Sequence, residues 1–336
     1  MVLCVAATQN APLPKWIPQT SGVTARLRGV SAVTDRVAWA SGSNGTIIRT
    51  VDGGASWQKL PIPGTERLDF RDIDAIDERV AYVLSIGAGD ASRIYKTVDG
   101  GSTWQVQFTN PDPKAFFDAM AFWDARNGIA VSDSVDGVFV IIVTRDGGQT
   151  WTRVPASALP PALPNEGAFA ASGTNVAVHG TSHVWIGTGA AASSRVLRSS
   201  DGGQTWASAT TPLPAGPSAG IFSVAFRDAS HGMVVGGDYR KEAEAIDNAA
   251  VTTDGGVTWT LRTGLSGFRS VVAYLPDAQR PAVLAAGPSG ADYSVNDGAD
   301  WKPLTGVGFH TVSVAREGRA AWGAGESGRI AKLVTP

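Results

Sequence analysis

Three arginines could form an anion-binding site if the fold brings them together. Arg28, Arg71 and Arg269 each follow a large apolar residue at the start of an alternating apolar segment. A guanidinium group carries a permanent positive charge and several N–H donors that pair with carboxylates and phosphates. The sequence therefore predicts a site for a carboxylate, a phosphate or an acidic protein loop. The alternative is that the arginines only hold neighbouring elements together by pairing with acidic side chains, namely Asp72, Asp118 and Glu166.

Several acidic side chains could instead carry out general acid/base catalysis or bind a metal ion. The most ionisable stretch is residues 238–248, which includes Tyr239 and Arg240 as further binding candidates. Glu166 follows a long proline-rich segment, and long loops in compact domains are often functional. The candidates for catalysis or metal ligation are Glu166, Asp133, Asp238, Glu242 and His310. The alternative is that these residues form only a solvated rim of charges.

The elements that must position these residues are marked by a repeated turn. The pattern Ser/Thr-x-Asp-x-Gly-x-Thr-Trp occurs six times, with its tryptophans 42 to 55 residues apart. The tryptophans are Trp57, Trp104, Trp151, Trp206, Trp259 and Trp301. The aspartates are Asp52, Asp99, Asp146, Asp201 and Asp254, and the sixth copy, from Ser294 to Trp301, is degenerate. We call these six segments the repeat turns.

Each repeat turn is best explained as a folding device. An aspartate side chain accepts hydrogen bonds from backbone N–H groups two or three residues later, and the glycines allow positive φ values. The tryptophan then begins the next strand and packs between neighbouring sheets. The turn lacks the dense carboxylates of a calcium loop. We therefore predict a hairpin turn with an aromatic anchor and no catalytic role.

The spacing of the repeat turns predicts a propeller. The residues between turns are β-rich and alternating, so each unit is expected to form one blade of four short strands. The segment around Trp16 resembles the strand after each turn but has no turn before it, whereas residues 310–333 provide only three strands. We therefore predict an all-β, seven-bladed β-propeller at residues 16–336, in which the N-terminal strand completes the last blade. Residues 1–15 are expected to be a leader or an N-terminal arm.

Aligning the units places one residue of each blade at the mouth of the central channel, on the face opposite the repeat turns. These residues are Arg28, Arg71, Phe117, Thr174, Phe222, Arg269 and His310. Trp185 aligns with Trp39 of blade 1. Counting back from Trp185 by the same number of residues places Thr174 at the position that Arg28 has in blade 1. Glu166 is therefore expected in an extended loop rather than in the inner strand.

Composition excludes several classes of function. Charged residues make up 17% of the 336 residues and the net charge is −2, so there is no general electrostatic case for nucleic-acid or anionic-membrane binding. The single cysteine, Cys4, rules out an intramolecular disulfide, and no stretch approaches the roughly 20 apolar residues of a membrane span. Residues 1–7 fit the end of a signal peptide, which favours a protein exported to the periplasm or medium over a cytoplasmic one. We expect a monomer without a cofactor.

The repeat turn resembles the Asp-box of bacterial neuraminidase-type repeats. Residues 37–50, Val-Ala-Trp-Ala-Ser-Gly-Ser-Asn-Gly-Thr-Ile-Ile-Arg-Thr, followed by the first repeat turn, are similar to repeats of the photosystem II stability/assembly factor family. The likeness covers nearly the whole chain. It implies a seven-bladed propeller that acts as a non-enzymatic assembly factor, with an arginine-rich patch that engages membrane-protein intermediates. By this analogy Arg28, Arg71 and Arg269 would bind a protein partner.

A hydrolase with its site at the same face is the second hypothesis. Propeller lactonases and phosphotriesterases hold a metal ion at the channel mouth, and propeller glycosidases use carboxylates there. Sialidases share the Asp-box but also contain an Arg-Ile-Pro motif, whereas here Arg93 and Ile94 are followed by Tyr95. The sequence shows no dinucleotide fingerprint, phosphate loop or nucleophile elbow. The binding scaffold is therefore the preferred interpretation.

Overall fold

Seven four-stranded antiparallel sheets make up the protein, whose computed structural model describes residues 13–276 and 280–335. Six sheets follow the order of the chain, and the seventh combines strands from both ends of it. The predicted all-β, seven-bladed propeller is thus confirmed. The predicted leader falls mostly in residues 1–12, outside the described residues. Within the described ranges, no helix is long and apolar enough to cross a membrane.

The strands are named in chain order, and each blade runs from an inner strand at the channel to an outer strand. β1 (Lys15–Gln19) precedes blade 1, which contains β2 (Leu27–Ala32), β3 (Ala38–Gly42), β4 (Thr46–Thr50) and β5 (Gln58–Lys59). Blade 2 contains β6 (Asp69–Ala75), β7 (Ala81–Ile86), β8 (Arg93–Thr97) and β9 (Gln105–Thr109), and blade 3 contains β10 (Phe117–Phe122), β11 (Gly128–Val135), β12 (Val138–Thr144) and β13 (Thr152–Arg153). Blade 4 contains β14 (Val176–His179), β15 (His183–Gly187), β16 (Arg195–Ser199) and β17 (Ala207–Thr210).

The remaining blades follow the same plan. Blade 5 contains β18 (Ala219–Phe226), β19 (Gly232–Asp238), β20 (Ala249–Thr252) and β21 (Thr260–Arg262). Blade 6 contains β22 (Val271–Tyr274), β23 (Val283–Gly287), β24 (Gly290–Ser294) and β25 (Lys302–Leu304). Blade 7 contains β26 (Thr311–Val314), β27 (Ala321–Ala324), β28 (Ile330–Val334) and β1. Three short 3-10 turns lie in the connections, at Gly89–Ala91, Ala156–Ala158 and Glu326–Gly328.

The N-terminal strand closes the ring. β1 pairs antiparallel with β28, from Lys15 opposite Val334 to Gln19 opposite Ile330. An open ring would leave two sheet edges with unpaired backbone groups. This pairing confirms the closure that was predicted from the sequence around Trp16.

The hydrophobic core of the described residues consists of seven clusters, each between two adjacent blades. Each cluster includes one tryptophan at the start of an outer strand, namely Trp57, Trp104, Trp151, Trp206, Trp259, Trp301 and Trp16. Trp104 lies edge-on to Trp39, with ring centroids 6.2 Å apart. Trp16 lies 4.4 Å from Phe309. Trp16 therefore occupies in blade 7 the place that the repeat-turn tryptophans occupy in the other blades.

Polar side chains on the inner strands link neighbouring blades around the channel. Serine hydroxyls accept backbone N–H groups of the next blade at 3.0 Å in three places: Ser313 from Ala32, Ser31 from Ala75 and Ser223 from Val272. Between blades 2 and 3 the acceptors are carboxylates. Asp72 accepts the N–H of Met120 at 2.7 Å and Asp74 that of Phe122 at 2.8 Å, and burial raises the pKa of both acids. Asp72 therefore joins two blades and does not pair with Arg28, Arg71 or Arg269.

The repeat turns have the expected hydrogen bonds. In the second turn the Thr97 hydroxyl donates to Asp99 Oδ1 at 2.9 Å and accepts the Gly101 N–H at 2.8 Å. The hydroxyl and N–H of Thr103 donate to the Asp99 carboxylate at 2.6 and 2.9 Å. These bonds, above all the one from the Thr103 hydroxyl, lower the pKa of Asp99 to about 2. The sixth turn keeps the same arrangement with Asn296 in the aspartate position.

Candidate functional site

Four inner strands carry a β-bulge at the same position, near the end of the channel opposite the repeat turns. In β2, Leu27 pairs with Gly42 and Gly29 pairs with Ser41, which leaves Arg28 between them without a partner in the ladder. A bulge turns a side chain away from the regular alternation of its strand. The bulged residues are Arg28, Arg71, Asp118 and Phe222. All four line one cavity of about 590 Å³, which we call the mouth cavity.

Blade 3 contributes Asp118 to the mouth cavity, and the prediction of Phe117 at this place was wrong by one residue. Phe117 pairs with Ser132, and its side chain is fully buried in the core between blades 2 and 3. Because side chains alternate along a strand, a shift of one residue exchanges the two faces. The register shows that Phe117, not Phe116, is the counterpart of Leu27 and Phe70, so the bulge that follows it presents Asp118 to the cavity. Two consecutive phenylalanines fit the apolar pattern equally well, and the sequence alone does not decide between them.

Arg28 and Arg71 form the cationic part of the mouth cavity. Arg71 Nε donates to Asp69 Oδ2 at 2.9 Å, and its Nη1 donates to the carbonyl of Ala170 at 2.7 Å. Arg28 Nη1 donates to the carbonyl of Ala171 at 3.3 Å. The Nη2 groups of both arginines have no hydrogen-bond partner among the described residues. Burial and then the nearby Arg71 charge lower the pKa of Arg28 to about 10, so the Arg28 guanidinium group is charged at neutral pH.

Arg269 does not join the other two arginines, although the sequence analysis placed it with them. Its side chain is buried in blade 6, where Nε donates to Asp292 Oδ2 at 2.7 Å. Its Nη1 donates to the carbonyl of Phe268 and its Nη2 to the hydroxyl of Ser266. Arg269 therefore has the alternative role considered above: it pairs with an acidic side chain, Asp292, and does not form part of the anion-binding site. The pairing depends on a residue of β24, which the local sequence around Arg269 does not indicate.

A segment of blade 4 crosses the channel. This plug segment, residues 167–174, precedes β14 and is held by side chains of other blades. The Ala168 N–H donates to Asp133 Oδ1 at 2.8 Å, and two later carbonyls accept from the mouth arginines. The Ser172 hydroxyl donates to the carbonyl of Ser270 at 2.8 Å, and the Thr311 hydroxyl donates to the carbonyl of Ser172 at 2.9 Å. These contacts attach the plug to blades 1, 2, 3, 6 and 7.

The plug divides the channel into two cavities. The second cavity, of about 400 Å³, lies on the repeat-turn side, and its walls include Asp72, Asp74, Gly173, Thr174 and Arg316. Gly173 has a φ of 71°, and a Cβ at this position would lie 2.2 Å from Asp72 Oδ1. Only glycine therefore lets the plug pass this point. A ligand in the mouth cavity rests on the plug and does not enter an open channel.

Glu166 lies in the loop before the plug, as predicted, and its carboxylate is enclosed. Arg195 Nε donates to Oε1 at 2.9 Å and Arg195 Nη2 to Oε2 at 2.5 Å. The Thr188 hydroxyl and the Leu163 N–H donate at 2.6 and 2.8 Å. The side chain is fully buried and does not line the mouth cavity. Its hydrogen bonds fix the start of the plug segment and leave no carboxylate oxygen for a substrate.

Three of the other predicted catalytic candidates line the mouth cavity, namely Asp133, Glu242 and His310. Burial raises the pKa of Asp133 to about 6. Burial, followed by the charge of Asp133, raises the pKa of Asp118 well above its ordinary value. In the described part of the chain, Asp118 Oδ2 has no hydrogen-bond partner. Sequence reasoning treated Asp118 only as a partner for arginine and did not assign it to the site.

His310 is neutral at the edge of the cavity. Its Nε2 lies 2.7 Å from Glu326 Oε1, and Glu326 also pairs with Arg26. Burial, followed by the charge of Arg28, lowers the pKa of His310 to about 4. No group of three or more His, Cys, Asp or Glu side chains in the described ranges is arranged to hold a metal ion.

The loop after β19 divides its residues between the cavity and the solvent. Tyr239 and Glu242 line the mouth cavity, whereas Asp238 and Arg240 do not. The Arg240 guanidinium lies 5.8 Å from the Tyr239 ring centroid. Aromatic rings continue this wall: Phe169 stacks on Phe222 at 4.0 Å, and Tyr239 lies edge-on to these two rings at 6.3 and 6.1 Å.

Comparison with solved structures finds other propellers with a similar fold. A structure of YCF48 bound to D1 peptide is 16% identical, with a TM-score of 0.68 over 97% of this chain and 99% of that chain. YCF48 from Cyanidioschyzon merolae is 16% identical, with a TM-score of 0.64 over 95% and 98%. The GH74 xyloglucanase from Xanthomonas campestris is 17% identical, with a TM-score of 0.66 over 95% of this chain.

These similarities concern the fold. The chain spans about half of the xyloglucanase, 53% of its length, whereas it matches YCF48 from end to end. The resemblance to photosystem assembly-factor propellers is therefore confirmed as a likeness of fold. No family profile and no curated protein matches the sequence.

Proposed function

We propose that this propeller is a non-enzymatic scaffold that binds a protein partner through an acidic segment, with the mouth cavity as the binding site. The observation that carries the proposal is the pair Arg28 and Arg71, set at equivalent bulges with one unpaired Nη2 group each. Charge-assisted hydrogen bonds from two guanidinium groups favour a carboxylate. The YCF48 structure contains a D1 peptide, which supports a protein partner over a small anion for this chain.

The hydrolase alternative is not favoured by the carboxyl groups of the site. Glu166 is enclosed by donors of its own blade, Thr188 and Arg195, and Asp133 accepts the N–H of Ala168 in the plug. Asp238 lies outside the mouth cavity. These contacts give Glu166 and Asp133 structural roles, and the GH74 likeness is one of fold.

Replacing both mouth arginines tests the proposed function. Titration calorimetry would measure the binding of blocked, glutamate-rich peptides to wild type and to Arg28→Gln/Arg71→Gln. We expect the double variant to lose about tenfold or more in affinity, because each charge-assisted hydrogen bond contributes about 1.5–3 kcal/mol. Binding to wild type should weaken as salt is added.

The matched control removes the same charge from the opposite face. Arg36 and Arg79 are exposed near the repeat turns, so Arg36→Gln/Arg79→Gln should bind the peptides as wild type does. Thermal unfolding should show both double variants within a few degrees of wild type. Equal affinity of the mouth variant and wild type would refute the proposed site.

A further inference from the structure

The mouth cavity has two chemically different halves. Arg28 and Arg71 belong to blades 1 and 2, whereas Phe169, Phe222 and Tyr239 belong to the plug and to blade 5 across the channel. Phe222 is buried, but Phe169 is half-buried and Tyr239 is 42% exposed. The cavity therefore offers ring surface on one side and N–H donors on the other.

The plug segment shows which groups can span the two halves. The Phe169 ring stacks on Phe222 at 4.0 Å. The next two carbonyls, of Ala170 and Ala171, accept hydrogen bonds from the two mouth arginines. A segment with an aromatic ring and, within the next two residues, acceptor oxygens is thus long enough to contact both the aromatic side chains and the two arginines.

Both halves keep unused binding surface after these contacts. Each arginine has an unpaired Nη2 group among the described residues. Tyr239 and Phe169 keep exposed ring surface on the opposite side. The arginines also repel each other, since Arg71 contributes to the lowered pKa of Arg28. A carboxylate placed between the two guanidinium groups relieves that repulsion and forms charge-assisted hydrogen bonds.

We propose that the mouth cavity recognises a peptide segment in which an aromatic side chain lies within two residues of an acidic side chain. This inference rests on the proposed function, because it names the chemistry of the acidic segment. The carboxylate binds the Nη2 groups of Arg28 and Arg71. The ring packs on Phe169 and Tyr239, in the offset or edge-on geometry that aromatic pairs prefer.

Calorimetry with three blocked hexapeptides tests this inference. The first carries a phenylalanine next to a glutamate, the second replaces the phenylalanine by alanine, and the third replaces the glutamate by glutamine. The first peptide should bind wild type about tenfold more tightly than either of the others, because it alone fills both halves. Tyr239→Ala should remove most of the preference for the phenylalanine–glutamate peptide over the alanine–glutamate peptide. Val98→Ala, at an exposed residue of the second repeat turn, should bind all three peptides as wild type does.

The outcomes separate this inference from the proposed function. If the alanine–glutamate peptide binds as tightly as the phenylalanine–glutamate peptide, and both depend on the arginines, the aromatic subsite is overturned and the proposed function stands. If no glutamate peptide binds better than the glutamine peptide, the proposed function itself fails. If 3-phenylpropionate binds as tightly as the best peptide, the ligand is a free aromatic acid and the peptide inference is overturned.

Discussion

Single residues of the mouth cavity show how burial changes the chemistry of an acid. Asp133 accepts the Ala168 N–H and lies close enough to Asp118 for their charges to interact. Burial raises the pKa of Asp133 to about 6 from an ordinary value of 3.8. In the unfolded chain this carboxyl ionises at a lower pH than in the folded protein. The contribution of Asp133 to the free energy of unfolding is therefore most favourable below pH 4, and it decreases as the pH rises towards 6.

The Asp133→Asn variant tests this titration. An asparagine keeps the acceptor for Ala168 but carries no charge. At pH 8 we expect the variant to be more stable than wild type by about 1–3 kcal/mol, and at pH 4 the two should be equal. Urea unfolding at both pH values measures the difference. Asp136→Asn, at an exposed residue that pairs with Lys114, is the control, and a gain of equal size there would contradict the assignment to burial.

The repeat turn connects the third and fourth strands of blades 1 to 6. Its hydrogen bonds come from residues within four positions of the aspartate, and the same bonds recur around Asp52, Asp146, Asp201 and Asp254. The sixth turn uses Asn296, whose Oδ1 accepts the Asp300 N–H at 3.0 Å. The sixth turn keeps the acceptor at this position and carries its carboxylate on Asp300, whose Oδ2 accepts the Asn296 Nδ2–H at 2.7 Å. We therefore expect the acceptor of the N–H four residues later to be the feature that the turn requires at this position.

Substitutions at Asp99 test this conclusion. Asp99→Asn should destabilise the protein less than Asp99→Ala, because asparagine keeps the acceptor of the Thr103 N–H, although it lacks the second oxygen that accepts the Thr103 hydroxyl. In Asp99→Ala the N–H and the hydroxyl of Thr103 both lose their acceptor. Chemical denaturation measures both values. A loss in the asparagine variant as large as that in the alanine variant would show that the charge itself stabilises the turn.

At the scale of the whole molecule, stability depends on closing the ring. Six blades are held by a repeat-turn tryptophan, and blade 7 is held by Trp16 of β1, which packs on Phe309. The closing strand and β28 come from distant parts of the chain. The plug segment adds contacts between five blades across the channel, so the cavity surface is rigidly connected to the ring.

The Trp16→Ala variant tests the closure. We expect it to destabilise the protein by about 2–4 kcal/mol, because a partly buried aromatic contact between blades 6 and 7 is lost. Trp104→Ala, in the equivalent place between blades 1 and 2, should cost a similar amount. Lys15→Ala changes an exposed residue of the same strand and should have little effect. A Trp16 variant as stable as wild type would show that β1 contributes little to closure.

The sequence by itself determined the number of blades, the repeat turns and the closing strand. Each of these follows from contacts within a few residues or from a regular repeat, and both kinds of pattern can be read directly from the sequence. The amino-acid pattern was also sufficient to bring Arg28 and Arg71 to the same mouth, because each follows a large apolar residue near the start of its inner strand, Leu27 and Phe70.

Only the tertiary structure decided which side chains form the cavity. The register of β10 placed Asp118 and not Phe117 at the mouth, and a partner on β24 withdrew Arg269 from the site. The plug brought Phe169 against Phe222, and it brought the carbonyls of Ala170 and Ala171 to Arg71 and Arg28. These features depend on contacts between residues far apart in the chain, whose geometry is set by how blades pack and not by the local pattern of residues.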